Sequence, residues 1–489
     1  MKPLLTLMLL LALTACAPMD PGAPAAAALD AGDLALEQDP AGVEWPEPHW
    51  WTRYADTQLD DLIDAALQGN PDLQAAMARV RIAQAAARGA RAVQWPQINA
   101  QYQFTRERLS ESYIYPPPLG GSYQSDTGLS LQLNFDPDLW GRQKALTTAA
   151  RQRTAAAQAM ERQARNLLVS AVAQAYFQQQ DAQAQAVAIK DIVGKLEDAL
   201  AITRARYDNG LGTQVDVDQA DSAVSAARVQ LGQVRNNAVL LQHRLAALLG
   251  KAPEQLPQPA LRPYRAIPAG VPMHMPMALL GRRADIAAAR LQAQAAGAEI
   301  SAAKADFLPN IDLSAAAGFL SLGLDQLLRS NSRNLSVGPV ITLPIFNAGA
   351  LNAQLAGRRA ARDEAIAQYN QTIVTAIREV ADASASIQAL QEQIRHQEAS
   401  LQSITSAYDV ALQRYKAGLG NFIQVLLAQN EVLKQTVQTS DLHTQAYLLD
   451  IQLATALGGG YLEPAATGSQ QPIAQPFPAR LTQRPDHSS

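Results

Sequence analysis

Gln97-Ile98-Asn99-Ala100-Gln101-Tyr102-Gln103-Phe104-Thr105 alternates apolar and polar side chains without a break, and Leu129-Ser130-Leu131-Gln132-Leu133-Asn134-Phe135 does so again. A period of two puts one kind of side chain on each face of a β-strand. Ile311, Leu313, Ala315, Ala317 and Phe319 repeat the pattern more weakly, as do Leu335, Val337, Ile341 and Leu343, where Pro339 interrupts. The expected strands are therefore about 97–106, 129–136, 310–319 and 335–343. A soluble antiparallel sheet with one wet face would alternate in the same way. Four strands set among long helical stretches, however, have no second apolar layer to cover them, so they need partners from other chains. In lipid an open sheet edge leaves backbone groups unpaired at several kcal/mol each, so a membrane sheet must close into a barrel. Two chains would give eight strands and a filled interior, and three would give twelve and room for a lumen. The Gln, Asn, Ser and Thr of the polar faces suit a wetted interior.

The strands belong to a duplicated unit. Gln94-Trp95-Pro96-Gln97-Ile98 recurs as Phe307-Leu308-Pro309-Asn310-Ile311, and Arg206-Tyr207 before Gly210-Leu211-Gly212 recurs as Arg414-Tyr415 before Gly418-Leu419-Gly420. The first copy spans 45–250 and the second 283–460, joined by a proline-rich connector over 251–282 in which Pro253, Pro257, Pro259, Pro263, Pro268, Pro272 and Pro276 forbid regular helix. Each copy reads helix, strand, strand, very long helix, tight turn, helix. From Leu139 to Asp208 and from Asn347 to Ala417 the chain is free of proline, enough for helices about 105 Å long at 1.5 Å per residue. Leu146, Ala150, Ala157, Met160, Ala164, Leu167 and Ala171 keep the 4-3 spacing of a coiled-coil seam, with Arg153 inside the run. Both long helices stop at glycines that cap and reverse the chain, giving turns at about 209–213 and 417–421. The tail, 461–489, is rich in Pro, Gln, Ser and Ala and is expected to be disordered.

Composition agrees with long helices over compact cores: aromatics make up 5% and hydrophobic residues 48%, and the net charge is −4. Without a dense basic block there is no electrostatic case for nucleic acid. Residues 1–15 have a basic end, an apolar run from Leu4 to Leu13 and small residues before Cys16, as in a secretory signal too short to span a bilayer. Leu13-Thr14-Ala15-Cys16 resembles the bacterial lipobox, which makes Cys16, the only cysteine, an acylation site. In bacterial lipoproteins a residue other than Asp after the cysteine implies outer-membrane delivery, and here it is Ala17. Residues 16–44 then read as a flexible tether with a reach of up to roughly 90 Å.

Trp50-Trp51, Asp56 with Leu59, Asn70-Pro71-Asp72-Leu73, Leu280 with Arg282-Arg283-Ala284-Asp285-Ile286, and the two Arg-Tyr…Gly-Leu-Gly turns follow the order found in one family. From about Trp50 to Tyr461 the chain resembles the TolC/OprM-like outer-membrane factors, in their lipoprotein, NodT-like branch. Ala284 departs from the family, in which proline is common at that place. The resemblance implies a homotrimer: a mainly α protein with a twelve-stranded membrane β-barrel continuing into a long α-helical periplasmic barrel. It also implies an exit duct for efflux, fed by an inner-membrane pump through a periplasmic adaptor, with small molecules favoured over protein as cargo. On this resemblance Arg206, Tyr207, Gly210, Leu211, Gly212 and Thr213, with Arg414, Tyr415, Gly418, Leu419 and Gly420, are expected at an adaptor-docking tip. The family's aspartate ring after the second turn is replaced here by Ile423-Gln424-Val425-Leu426-Leu427, so Ile423, Gln424 and Leu427 are expected to form an apolar constriction that gates by excluding water. Asp216 and Asp218 are the nearest carboxylates and are candidate acidic tip residues.

Motifs for other chemistry do not emerge. The six histidines lack ligand spacing, and there is no phosphate loop or nucleophile elbow, so neither cofactor, metal nor enzymatic activity is expected. The competing reading from another class is a structural coiled-coil lipoprotein without a pore.

Overall fold

The computed structural model describes residues 19–22, 24–29, 45–265 and 279–463. The signal segment, Cys16, most of the tether, the middle of the connector and the tail beyond Glu463 lie outside the described residues. The chain divides into two compact units, each drawing on both copies of the repeat. Among the described residues one comprises 19–22, 24–28, 78–158 and 288–369, the other 29, 45–77, 159–265, 279–287 and 370–463.

The sheet belongs to the first unit. Its strands β1 (Gln97–Arg108), β2 (Tyr123–Phe135), β3 (Asn310–Leu322) and β4 (Arg333–Thr342) lie in the order β1-β2-β3-β4, each antiparallel to the next. Tyr102 faces Leu129, Leu129 faces Phe319 and Ala317 faces Leu335, so the apolar residues of all four strands share one face. β2 begins at Tyr123, six residues before the alternation does. Gln124 to Thr127 show no apolar period, but the outer half of β1, from Phe104 to Glu107, pairs with them and holds them in the ladder. Among the described residues the outer edges of β1 and β4 are unpaired. Pro339 stands opposite Leu313 in the β3–β4 ladder, and within one chain β4 has no second strand beside it.

Long helices follow the strands. Asp138 takes φ 53° and its carboxylate accepts the backbone N–H groups of Gln143 and Lys144, both at 2.8 Å, which starts α3 (Arg142–Asp208). The second copy starts α7 (Ala350–Lys416) after an Asn347 turn, its side chain accepting from Gly349 N at 3.1 Å. Each has 67 residues, about 100 Å at 1.5 Å rise. Within the single chain Ala149, Ala156 and Ala159 of α3 are buried, while Met160 and Leu167 of the expected seam are 47% and 51% exposed. Alanine occurs on every side of this helix, so the sequence period does not select which alanine stripe packs. Among the described residues no helix is long and apolar enough to cross a membrane, which has no bearing on a β-barrel.

Part of the expected tether is docked. Asp20 N donates to Asn352 Oδ1 at 3.1 Å, Ala26 N to Asp363 Oδ1 at 3.0 Å and Leu29 N to Asn370 Oδ1 at 2.9 Å. Side chains at steps along α7 thus satisfy backbone donors of a segment with no secondary structure of its own.

In the second unit the helices α1 (Thr57–Gly69), α2 (Pro71–Ala92, its first turns only), α4 (Gln214–Leu248) and α8 (Phe422–Ala456) pack with the distal part of α3. Asp56 caps α1 through Gln58 N. Trp50, Trp51, Tyr54, Tyr176 and Ile451 lie in one apolar core, with Phe177 stacked on Tyr447 at 4.0 Å. In the connector Pro253–Gln255 makes one 3-10 turn, and α5 (Leu279–Arg282) leads into α6 (Ala284–Ala305). Residues 260–265 have no regular structure but are bonded throughout. Gln58 exchanges two bonds with the Ala260 backbone, Gln180 bonds Ala260 O and Arg262 N, and Tyr447 bonds both N and O of Arg265.

Candidate functional site: paired helix turns and a membrane sheet

The two turns are built alike. Leu211 N donates to Arg206 O and Leu419 N to Arg414 O, each at 2.8 Å, while Gly210 and Gly418 take φ +71° and +75°. A side chain would be strained at those angles, which is why glycine closes both helices. α4 then opens on a capping box between Thr213 and Asp216, and α8 on the Asn421 side chain, which accepts from Gln424 N at 3.3 Å. Leu211 and Leu419 stand 67% and 73% exposed at the apices, with Gly210, Thr213, Arg414 and Gly418 exposed beside them.

Tyr415 does not belong to that surface. It is buried against Phe422, its hydroxyl donating to Thr203 Oγ1 at 3.2 Å. Tyr207, its counterpart in the first copy, is 44% exposed. The pseudo-repeat is broken here because Arg206 crosses to the second turn: its guanidinium lies 5.0 Å from the Tyr415 ring centre and donates to Tyr415 O at 3.4 Å and Leu211 O at 3.3 Å. Tyr415 and Arg206 therefore tie one turn to the other, and Thr203, which no sequence signal marked, completes the tie. Gly212 and Gly420 are half-buried.

After the second turn, Phe422 and Val425 pack inward, while Ile423 and Leu427, i and i+4 on one helix face, are exposed and Gln424 is exposed beside them. The two acids after the first turn have local partners: Asp216 accepts from Thr213 N and Oγ1 at 3.1 and 2.7 Å, and Asp218 from Gln214 Nε2 at 2.8 Å.

In the sheet unit the apolar face is bare. Ile98, Tyr102, Phe104, Leu335, Val337 and Ile341 are all more than half exposed. At the strand ends that adjoin the helices stand Trp95, Trp140 and Phe346, also exposed. Aromatic residues collect where a membrane's apolar core meets its polar surface. Their position at the strand ends was a sequence signal available beside the alternation.

A cavity of about 140 Å³ in the second unit lies under the connector, between Tyr176, Asp181, Arg262, His443 and Tyr447. Asp181 accepts from Ser440 and from Gln185 Nε2 at 2.9 Å, and Gln185 also reaches Asp441 at 2.7 Å. Burial, aided by the nearby Asp441 charge, pushes the Asp181 carboxyl up to about 6 against the hydrogen bonds that oppose it. The folded protein thus holds this proton more tightly than the unfolded chain. Stability from this group is present below pH ~4 and is lost as pH rises to about 6, on the order of 3 kcal/mol for a shift of about two units. Asp181→Asn is expected to flatten that slope, as measured by thermal unfolding between pH 4 and 7.

The family model described as outer membrane efflux protein matches residues 62–251 and 275–459. Over 472 residues the chain is 33% identical to the multidrug resistance outer membrane protein MdtQ of Escherichia coli, covering 93% of this chain and 97% of that one. The toluene efflux pump outer membrane protein TtgF of Pseudomonas putida is 34% identical, over 85% of this chain and 86% of its own. Among solved structures, the outer membrane protein VceC of Vibrio cholerae is 35% identical with a TM-score of 0.79, covering 85% of this chain and 100% of that one. The outer-membrane channel OprN gives 27% identity and a TM-score of 0.80 over 92% and 99%. Long helices, a bare apolar sheet and matches spread over both copies of the repeat lead to one conclusion: the chain belongs to the outer membrane efflux protein family and is an outer-membrane efflux channel.

Proposed function

We propose that three copies of this chain close one twelve-stranded barrel in the outer membrane and form a duct through which small molecules, handed on by an inner-membrane pump and a periplasmic adaptor, leave the cell. The observation that carries this reading is the sheet itself: four strands, an exposed apolar face and two unpaired edges, β1 and β4. Such edges are stable in lipid only when paired, and β4 of one copy can pair with β1 of the next. Twelve strands leave a lumen. Small apolar or amphiphilic cargo is supported by the names of the relatives, which are multidrug and toluene efflux proteins.

On this reading the exposed apices at Leu211 and Leu419 meet the adaptor, and Ile423, Gln424 and Leu427 narrow the duct. An apolar ring gates by excluding water, with no need for the carboxylates that Asp216 and Asp218 commit to local bonds. Cys16 carries the acyl anchor, following residues 1–15 as a cleaved signal. This reading retains the two repeats at 45–250 and 283–460, the connector at 251–282 and a tail beyond 460.

Conductance in planar bilayers tests the duct. Trimers of the native chain are expected to give small, discrete openings that grow severalfold in an Ile423→Ala/Leu427→Ala variant. Intact trimers that conduct in neither form would favour a structural lipoprotein without a pore.

A further inference from the structure

We infer that the rim of the barrel carries a binding site for the phosphorylated headgroup of an outer-leaflet lipid, formed by Arg106 of one copy and Arg333 of its neighbour. The inference rests on the trimeric barrel proposed above. The strand register places Arg106 and Arg108 on the same face as Ile98, Tyr102 and Phe104, and Arg333, opposite Phe319, on the same face as Leu335, Val337 and Ile341. That is the apolar face, the one turned to lipid. Both arginines stand eight residues beyond the isoleucine that begins the apolar row at the helix-adjoining end, Ile98 in β1 and Ile341 in β4. Eight residues span about 27 Å along a strand, or about 21 Å of height at a tilt of about 40°, close to the apolar thickness a barrel presents to an outer membrane. The two side chains therefore emerge at the same level, where headgroups begin.

β1 and β4 are the two edge strands, so barrel closure brings them side by side, about 4.8 Å apart, at each seam between copies. Two guanidinium groups at that spacing fit one phosphate, which arginine binds through paired N–H donors. Charge is sorted by face at this level. Glu107 and Asp126 lie on the opposite, polar face, so neither opposes an anion on the lipid side. Arg108 is engaged by Glu111 at 2.7 Å, whereas among the described residues Arg106 and Arg333 are exposed and have no ion pair. A cation on the lipid face of a strand is costly at the middle of the membrane and tolerated at the interface, where the anions of the headgroups can meet it.

Native mass spectrometry of the full-length protein in detergent, loaded with bis-phosphorylated lipid A, tests the site. The native trimer is expected to retain up to one lipid A per seam, and Arg106→Gln/Arg333→Gln to lose about tenfold in occupancy, with partial recovery in Arg106→Lys/Arg333→Lys. Dephosphorylated lipid A is expected not to be retained. Equal retention by the native and glutamine trimers would overturn the inference, as would displacement of the lipid by millimolar inorganic phosphate, which would reveal a generic anion site. A monomeric mass for the native protein in the same spectra would instead overturn the barrel reading, and the lipid site with it.

Discussion

Arg283→Ala is expected to cost about 3–5 kcal/mol per protomer, because it removes one partner from a buried ionic network and leaves the others behind. Arg283 is 5% exposed. It donates to both oxygens of Asp285 at 3.1 and 2.7 Å, to Glu379 Oε2 at 2.8 Å and to Ala456 O at 2.9 Å, so it holds the start of α6, the middle of α7 and the end of α8 together. Lysine is no substitute, since one ammonium cannot span three partners with the geometry of a planar fork. The check is the heat-dissociation temperature of detergent-purified assemblies at a fixed scan rate, which should fall steeply for Arg283→Ala and somewhat less for Arg283→Lys. An unchanged temperature for Arg283→Ala would refute the role.

Gly458→Ala is expected to prevent assembly. Gly458 takes φ +101°, and a Cβ there would lie 1.9 Å from Arg282 O and 2.8 Å from the same carbonyl carbon. Strain of about 1–3 kcal/mol for the backbone angle adds to overpacking of about 1–3 kcal/mol or more, and a backbone oxygen cannot swing aside as a side chain would. Gly349→Ala is the control: φ is +85° with nothing within 4 Å, so only the angle is penalised. Immunoblots of unheated outer-membrane fractions should show the trimer for Gly349→Ala and little or none for Gly458→Ala.

Both sites mark the limits of what could be read from the sequence. Arg283 was visible as part of a motif, but its partners at 379 and 456 come from remote parts of the chain. The same holds for Tyr54 and Arg53, whose shared acceptor is the buried Asp450. The inner half of the sheet was legible because alternation is local, as Ile98 to Phe104 show. The outer half of β2 was not, since Gln124 to Thr127 are held by pairing and not by pattern. The helix turns were legible from their glycines, but the inward rotation of Tyr415 depends on Arg206 from the other copy. Which face of α3 is buried within the chain was not legible, because a helix with alanine on every side gives periodicity nothing to choose between. The tether was read as free because its composition has no period. Its bonds to α7 come from Asn352, Asp363 and Asn370, hundreds of residues away.

That docked segment also limits where an acyl chain on Cys16 can go. From Cys16 to Asp20 there are four residues, a span of at most ~14 Å, and Asp20 is bonded to Asn352 in the first turn of α7. If Cys16 carries the acyl anchor proposed above, that anchor would work on a short leash, close to where β4 gives way to α7. The bonds of Asp20, Ala26 and Leu29 fall at residues 352, 363 and 370 of that helix like marks on a ruler, so that deleting part of this segment would shift its register along the helix and, on the proposed anchoring, pull on the acylated end.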